Sequence, residues 1–223
     1  MALIPTTILT GFLGAGKTTL LNRILQEPHG FKIAVIENEF GQENIDNEIL
    51  VQDGTEQIVE MNNGCICCTV RGDLIIALTS LAQKRNAGEL QFDHVVIETT
   101  GLANPGPVAQ TFFVDEEVAS EYLVDAIITV VDAKHAMHQL DSYEEAQRQV
   151  GFADKLLFSK TDLVSADELK ALTERIKRIN PRAPISTTNF GSVAIADVLD
   201  LRGFNLNDKL EIDPDFILSL IHI

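Results

Sequence analysis

Thr10-Gly11-Phe12-Leu13-Gly14-Ala15-Gly16-Lys17-Thr18-Thr19 is the stretch from which the rest of the chain is read. An apolar run, Ile4 to Leu9, precedes it, and Leu20-Leu21-Asn22-Arg23-Ile24-Leu25 follows with apolar residues at helical spacing. Strand, glycine turn and helix in that order, with Gly-x-x-x-x-Gly-Lys-Thr running from Gly11 to Thr18, make the pattern of a phosphate-binding loop. Gly11, Gly14 and Gly16 allow the backbone to curl so that N–H groups along the loop, through Ala15 and on to Thr19, face phosphate oxygens. The helix that follows adds the positive end of its dipole. Lys17 is expected to reach the β and γ phosphates, and the Thr18 hydroxyl to ligate Mg²⁺. An ordinary glycine turn would not need the lysine and threonine at these positions.

Outward from the loop, strands and helices alternate. Phe31 to Ile36, Phe92 to Ile97, Val124 to Asp132, Lys155 to Ser159 and Ile185 to Thr187 read as strands, and Gln57 to Met61 as a short one. Leu74, Ile75, Ala77, Leu78 and Leu81 form a helical stripe, with Gly72-Asp73 expected as its cap. The Pro- and Gly-rich stretch Leu102 to Pro107 is expected to precede the next helix. Glu144 to Val150 is helical, Ser165-Ala166-Asp167-Glu168 has the form of a capping box, and that helix should stop at Asn180-Pro181. A short helix is expected near Ser192 to Leu199. Asp115-Glu116-Glu117 reads as a solvated acidic cap, and His135 and His138, at i and i+3, as a solvated pair on one helix face. The expected fold is α/β, a P-loop NTPase with a mostly parallel central sheet and helices on both faces.

Size and charge narrow the class. The 223 residues, 45% hydrophobic and 22% charged, suit one main globular domain rather than a disordered or fibrous chain. No apolar run reaches membrane-spanning length and no signal-peptide order opens the chain, so a cytoplasmic protein without a membrane partner is expected. Seventeen basic against thirty-three acidic residues give a formal charge of −16, which repels nucleic acid, and no basic patch offsets it.

Three further groups carry chemistry. Glu98 closes an apolar strand where a Mg²⁺-organising acid belongs, and Gly101 brings a backbone N–H towards the phosphate. Ser159-Lys160-Thr161-Asp162 ends a late strand, where guanine-specific proteins of this kind carry [N/T]KxD. The Asp162 carboxylate can accept from guanine N1–H and the 2-amino group while the Lys160 stem covers the ring, and adenine lacks that donor pair. GTP is therefore expected over ATP, and Ser159, in place of Asn or Thr, is expected to loosen the loop. All three cysteines fall in Cys65-Ile66-Cys67-Cys68. Clustered thiols point to metal or thiol chemistry rather than to a disulfide framework, with Zn²⁺, Co²⁺ or Cu⁺ suited to the donors. A closed structural zinc site takes four ligands, so exchange fits this loop better, with Glu37 and Glu39, or a nearby histidine, as further donors if the sheet brings those loops together. A buried thiol cluster or a redox pair is the alternative.

Gly11 to Thr19, Glu37-Asn38-Glu39-Phe40-Gly41, Gly64 to Cys68, Glu98 to Pro105 and Ser159 to Asp162 together resemble the CobW-type metallochaperone GTPases, relatives of HypB and UreG. The resemblance spans about residues 3 to 205. It implies a GTPase in which Lys17 and the loop bind phosphates, Thr18 and Glu98 organise Mg²⁺, and Glu37 orients the attacking water. Its switch regions, Glu37 to Glu39 and Glu98 to Gly101, would build a transition-metal site when GTP and Mg²⁺ are bound. Hydrolysis would release Zn²⁺ or Co²⁺ from Cys65, Cys67, Cys68, Glu37 and Glu39 to a client metalloprotein. No arginine finger is visible, so intrinsic turnover should be slow. Gln42 stands where relatives often carry a carboxylate. Relatives usually continue through a His-rich linker into a smaller domain, so residues 1–205 are expected to be the GTPase domain and 206–223, with its apolar tail, either a terminal strand or helix that docks on the core or the start of a linker. Expected partners are GTP and GDP, a transition-metal ion, a client metalloprotein and a second copy in a homodimer. The rival readings are a GTP-responsive metal-storage or sensing module and a metal-independent P-loop ATPase.

Overall fold

The apolar run before the glycine loop becomes an interior strand of the sheet. In a computed structural model that describes residues 2–37, 50–51, 57–58, 70–214 and 216, β1 (Ile4–Gly11) leads through the loop into α1 (Lys17–Gln26). Then come β2 (Ile33–Glu37), β3 (Leu50–Val51), β4 (Gln57–Ile58), α2 (Val70–Asn86), β5 (His94–Glu98), α3 (Pro105–Val114) and α4 (Glu116–Glu121). The chain continues with β6 (Tyr122–Asp132), α5 (Ala136–Ser142), α6 (Glu144–Phe152), β7 (Lys155–Ser159), α7 (Ala166–Ile179), β8 (Ile185–Thr188) and α8 (Leu206–Ile212). The strand order is β4-β3-β2-β5-β1-β6-β7-β8. The pairs from β2 through β8 are parallel, and β3 and β4 add antiparallel at one edge.

Helices cover both faces because the parallel strands are apolar on both sides. Ile8, Ala34, Ile36, Val95 and Ile97 pack with α2 and α3 residues such as Leu78 and Phe112 on one face. Their sequence neighbours Leu9, Ile33, Val35 and Val96 pack with Leu20, Leu21 and Ile24 of α1 on the other. This is the period-two alternation of a strand buried on both sides. A third cluster joins α5, α6 and α7 to Val131, Leu156 and Phe158.

Several local expectations need correction. The Gly72-Asp73 pair lies inside the first turn of α2, which begins at Val70, because an acid there interacts with the dipole without having to cap it. The Pro-Gly stretch opens α3 rather than preceding it: Asn104 Oδ1 accepts from Gly106 N at 3.0 Å, and Pro105 takes the first helical position, where its missing N–H costs nothing. Between Ser192 and Leu199 there is only a short 3₁₀ turn, Ile195–Asp197. The Ser165–Glu168 capping box forms in both directions, and α7 ends at Ile179 with Asn180 as its C-cap. Asp115 caps α4 through Val118 N at 3.0 Å.

Residues near the end of the described chain dock on the body. Lys209 in α8, only 2% exposed, donates to Phe152 O at 2.6 Å and to Asp154 Oδ1 at 2.5 Å. Phe216 is buried beside Phe152 and Phe113, with its carbonyl accepting from Gln110 Nε2. Among the described residues no helix is long and apolar enough to cross a membrane.

Candidate functional site

Parallel strands deliver the ends of β1, β2, β5, β6, β7 and β8 to one edge of the sheet, and the phosphate loop, Glu37, Glu98 and Ser159 to Asp162 sit there. At the end of β1 a Cβ on Gly11 would come within 2.3 Å of Val130 O, so the chain can leave the strand towards the loop only with glycine at that position. Gly16 caps α1 with no side-chain bond to the helix's first N–H groups, which leaves those donors for an anion. Lys17 is 8% exposed and donates to Gly11 O at 3.0 Å, folded back over the loop. Burial lowers its ammonium pKa, opposed by the Glu98 carboxylate nearby. A bound polyphosphate would replace the neutral Gly11 O with a charged acceptor.

Thr18 Oγ1 donates to Glu98 Oε1 at 2.8 Å, joining the loop to the end of β5 across eighty residues of sequence. Glu37 and Glu98 are in-register neighbours on β2 and β5, so their side chains leave the same face of the sheet. Thr18 and Glu98 thus place oxygen donors beside the phosphate loop, with Glu37 one strand further out on the same face. Past Glu98, Thr99 N donates to Leu9 O at 2.9 Å and Thr99 Oγ1 to Thr10 Oγ1 at 2.9 Å. A Cβ on Gly101 would lie 2.7 Å from Leu13 N, so the segment after β5 presses against the loop and only glycine fits.

The end of β7 is tied to the same loop. Ser159 Oγ donates to Ala15 O at 2.6 Å, with Val131 O at 3.3 Å. The expectation that serine loosens this turn is therefore wrong: its short hydroxyl reaches the loop carbonyl directly. Lys160, in a left-handed conformation at φ 55°, donates to Gly14 O at 2.8 Å and to Asp132 Oδ2 at 2.6 Å. Asp162 lies exposed in the 3₁₀ turn Thr161–Leu163. Asp132 Oδ1 also accepts from Lys134 N at 2.9 Å, and Oδ2 faces His135 Nδ1 at 2.9 Å. Burial alone would raise the Asp132 pKa, but hydrogen bonds from Lys160 and His135 hold it below the ordinary carboxylate value. His135 and His138 are both exposed to solvent, as expected, and His135 in addition joins the Asp132 cluster at the start of α5.

Sequence reasoning missed two groups here. Asp132 holds Lys160, and the signal was an acid closing the strand beside Ser159, its register partner. Gln149, 1% exposed in α6, donates to Gly101 O at 3.1 Å and Ala103 O at 3.0 Å and so braces the segment after β5. A glutamine beside Val150 in the buried stripe of α6 was its trace. Glu39, Cys65, Cys67 and Cys68 lie outside the described residues. Among the described residues no group of three or more His, Cys, Asp or Glu is placed to hold a metal ion.

Comparison with known proteins bears on the same residues. The pattern of the CobW/HypB/UreG nucleotide-binding domain matches residues 5–187. The zinc chaperone YjiA of Escherichia coli (strain K12) is 48% identical over 207 residues, which cover 93% of this chain and 64% of that protein. The zinc-regulated GTPase metalloprotein activator 1 of Schizosaccharomyces pombe is 41% identical over 208 residues, 90% of this chain and 50% of that one. The crystal structure of the Zn(II)-bound YjiA GTPase from E. coli superimposes with a TM-score of 0.74 at 43% identity, over 92% of this chain and 64% of its own. The chain therefore spans between half and about two thirds of the length of these relatives.

Proposed function

Because this chain belongs to the CobW/HypB/UreG nucleotide-binding family, we propose that it hydrolyses GTP slowly and uses the nucleotide state to hold and then release a transition-metal ion, Zn²⁺ or Co²⁺, for a client metalloprotein. The observation that carries this reading is the 2.8 Å contact between Thr18 and Glu98, with Glu37 in register beside it. It joins the phosphate loop to the two strand ends from which the switch segments leave. A change at the γ-phosphate therefore has a short physical route to both.

The donors fit Mg²⁺, which takes hydroxyl, carboxylate and phosphate oxygens; Thr18 and Glu98 would hold it, and when bound it supplies charge against the β and γ phosphates. Lys17 and the uncapped N–H groups of α1 bind phosphate oxygens. Glu37 orients the attacking water by accepting a hydrogen bond from it. Gly101 N–H approaches the γ-phosphate, and Gln149 keeps that segment in place. Asp162 reads guanine while Lys160, fixed by Asp132 and Gly14 O, covers it. Cys65, Cys67 and Cys68, with Glu37 and Glu39, take the transferred ion as soft and borderline donors. Three thiols in four residues suit a reducing, cytoplasmic setting. The sequence resemblance supports self-association as a homodimer and residues 1–205 as the GTPase unit, to which α8 and Phe216 add further packing on the body.

The test is a Zn²⁺ and Co²⁺ titration of the chain with a non-hydrolysable GTP analogue, with GDP and without nucleotide, alongside phosphate release from GTP. Affinity should be highest with the GTP analogue and fall by at least about tenfold, some 1.4 kcal/mol, with GDP. Equal affinity in all three states would leave a metal-storage module, and absence of phosphate release under every metal would remove the enzyme.

A further inference from the structure

A phenylalanine stands next to the base-reading turn with no part in the reading above. β8 ends at Thr188, the register partner of Ser159, so the residues after it share the sheet edge with Lys160 and Asp162. The loop that follows is anchored on two sides. Asn189 Oδ1 accepts from Thr161 Oγ1 at 3.3 Å, inside the base-reading turn, and Asn189 O accepts from Ser192 N at 2.9 Å. Gly191, at φ 77°, packs so closely on the first turn of α1 that a Cβ would lie 2.7 Å from Thr19 O. Between these anchors Phe190 adopts φ 49°, a left-handed conformation that bulky side chains avoid, and it is 86% exposed, the most exposed large hydrophobic among the described residues.

A single exposed apolar side chain is ordinary. This one differs because a hydrogen-bonded loop, pinned to the base-reading turn and to the helix after the phosphate loop, holds an aromatic ring in water in a strained backbone conformation. Strain kept by its surroundings beside a binding edge has a use there. We propose that Phe190 stacks on the base of the bound nucleotide. The proposal rests on the guanine reading given above. The base then lies between the Phe190 ring and the aliphatic stem of Lys160, and Asp162 alone reads its edge. Stacking is blind to base identity because every base has a π-face, so Phe190 supplies affinity and Asp162 supplies choice.

The chain contains no tryptophan, so Phe190→Trp introduces a sole indole reporter at the position in question. GDP should quench its emission along the same curve as binding, whereas pyrophosphate, which occupies the phosphate loop without a base, should leave it unchanged. Phe190→Ala should weaken GDP by about tenfold or more, as expected for one lost aromatic-base stack, with the GDP-over-ADP preference intact, and Phe190→Tyr should restore the affinity. GDP affinity within about twofold of the parent in Phe190→Ala, or an indole that responds alike to GDP and pyrophosphate, overturns the stack; so does a Phe190→Ala effect confined to self-association. The guanine reading fails separately, in the unsubstituted chain, if GDP and ADP bind equally well.

Discussion

Lys17 and Lys209 are both buried lysines, at opposite edges of one sheet, and their partners are of different kinds. Lys209 stands below the start of β7 against a carboxylate, Asp154, and a carbonyl, Phe152 O. Asp154 in turn accepts from Ile127 N at 2.8 Å. Lys17 stands at the other edge with a neutral carbonyl, Gly11 O, as its hydrogen-bond acceptor at 3.0 Å. Where the ammonium is a fixture, folding hydrogen-bonds it to a carboxylate; where it is a tool, folding supplies a replaceable neutral acceptor with the Glu98 carboxylate nearby, and leaves the direct charged contact to the ligand. The same division runs through the two edges. Below, Asp125 is 1% exposed and accepts from Leu201 N, Arg202 N and Thr7, closing the chain end onto the sheet. Above, Lys160 reaches the phosphate loop at Gly14 O and Thr18 of that loop reaches Glu98, each through a single short contact.

The largest effect that sharpens this contrast is at the structural lysine. Burial outweighs Lys209 and pushes the Asp154 carboxyl up, so the pair is expensive to keep and more so to break. Asp154→Ala leaves a buried ammonium without its carboxylate and should lower the unfolding free energy by about 3–5 kcal/mol in denaturant titration. A loss under about 1 kcal/mol would mean that Phe152 O alone satisfies Lys209, and the contrast would collapse.

Lys17→Ala should do the reverse, weakening GDP by about a hundredfold, near 3 kcal/mol for a charged hydrogen bond lost, while thermal stability holds or rises because a desolvated cation is gone. A variant that loses stability and nucleotide affinity together would make Lys17 a second Lys209.

A smaller effect concerns the lower edge alone. His94 is fully buried, with Nε2 2.9 Å from Thr7 Oγ1. Burial lowers its pKa from 6.5; Asp125, Asp93 and Asp200 oppose this and His29 assists it. The unfolded chain thus takes up a proton below about pH 6.5 that the folded chain refuses. Stability is whole above that pH and declines below it, by at most about 1.4 kcal/mol per unit, until the folded pKa is passed. Urea melts between pH 7.5 and 5 should show the slope in the parent and not in His94→Gln, and an equal slope in both would move the acid lability elsewhere.

How much of this was legible varied with the range of the interaction. The capping box at Ser165, the stop at Asn180 and the strand Lys155 to Ser159 were readable because each depends on residues within a turn or two. The beginnings of α2 and α3 were misplaced because Asp and Pro each suit more than one position in a first turn. Ser159 was misread because its partner is Ala15, 144 residues away. Asp132 and Gln149 were missed for the same reason, since neither has a motif partner nearby in sequence.

By itself the sequence determined the phosphate loop, the alternation of strands with helices and the appearance of polar motifs at strand ends. These follow from local sterics, from the two- and 3.6-residue periods and from the backbone freedom of glycine. The tertiary structure alone decided that Thr18 meets Glu98, that Glu37 lies in register beside it, that Lys160 is held by Asp132 and Gly14, and which buried lysine keeps a carboxylate. Each of those pairings is set by strand order and register, and these are fixed only when many weak contacts between distant segments form together.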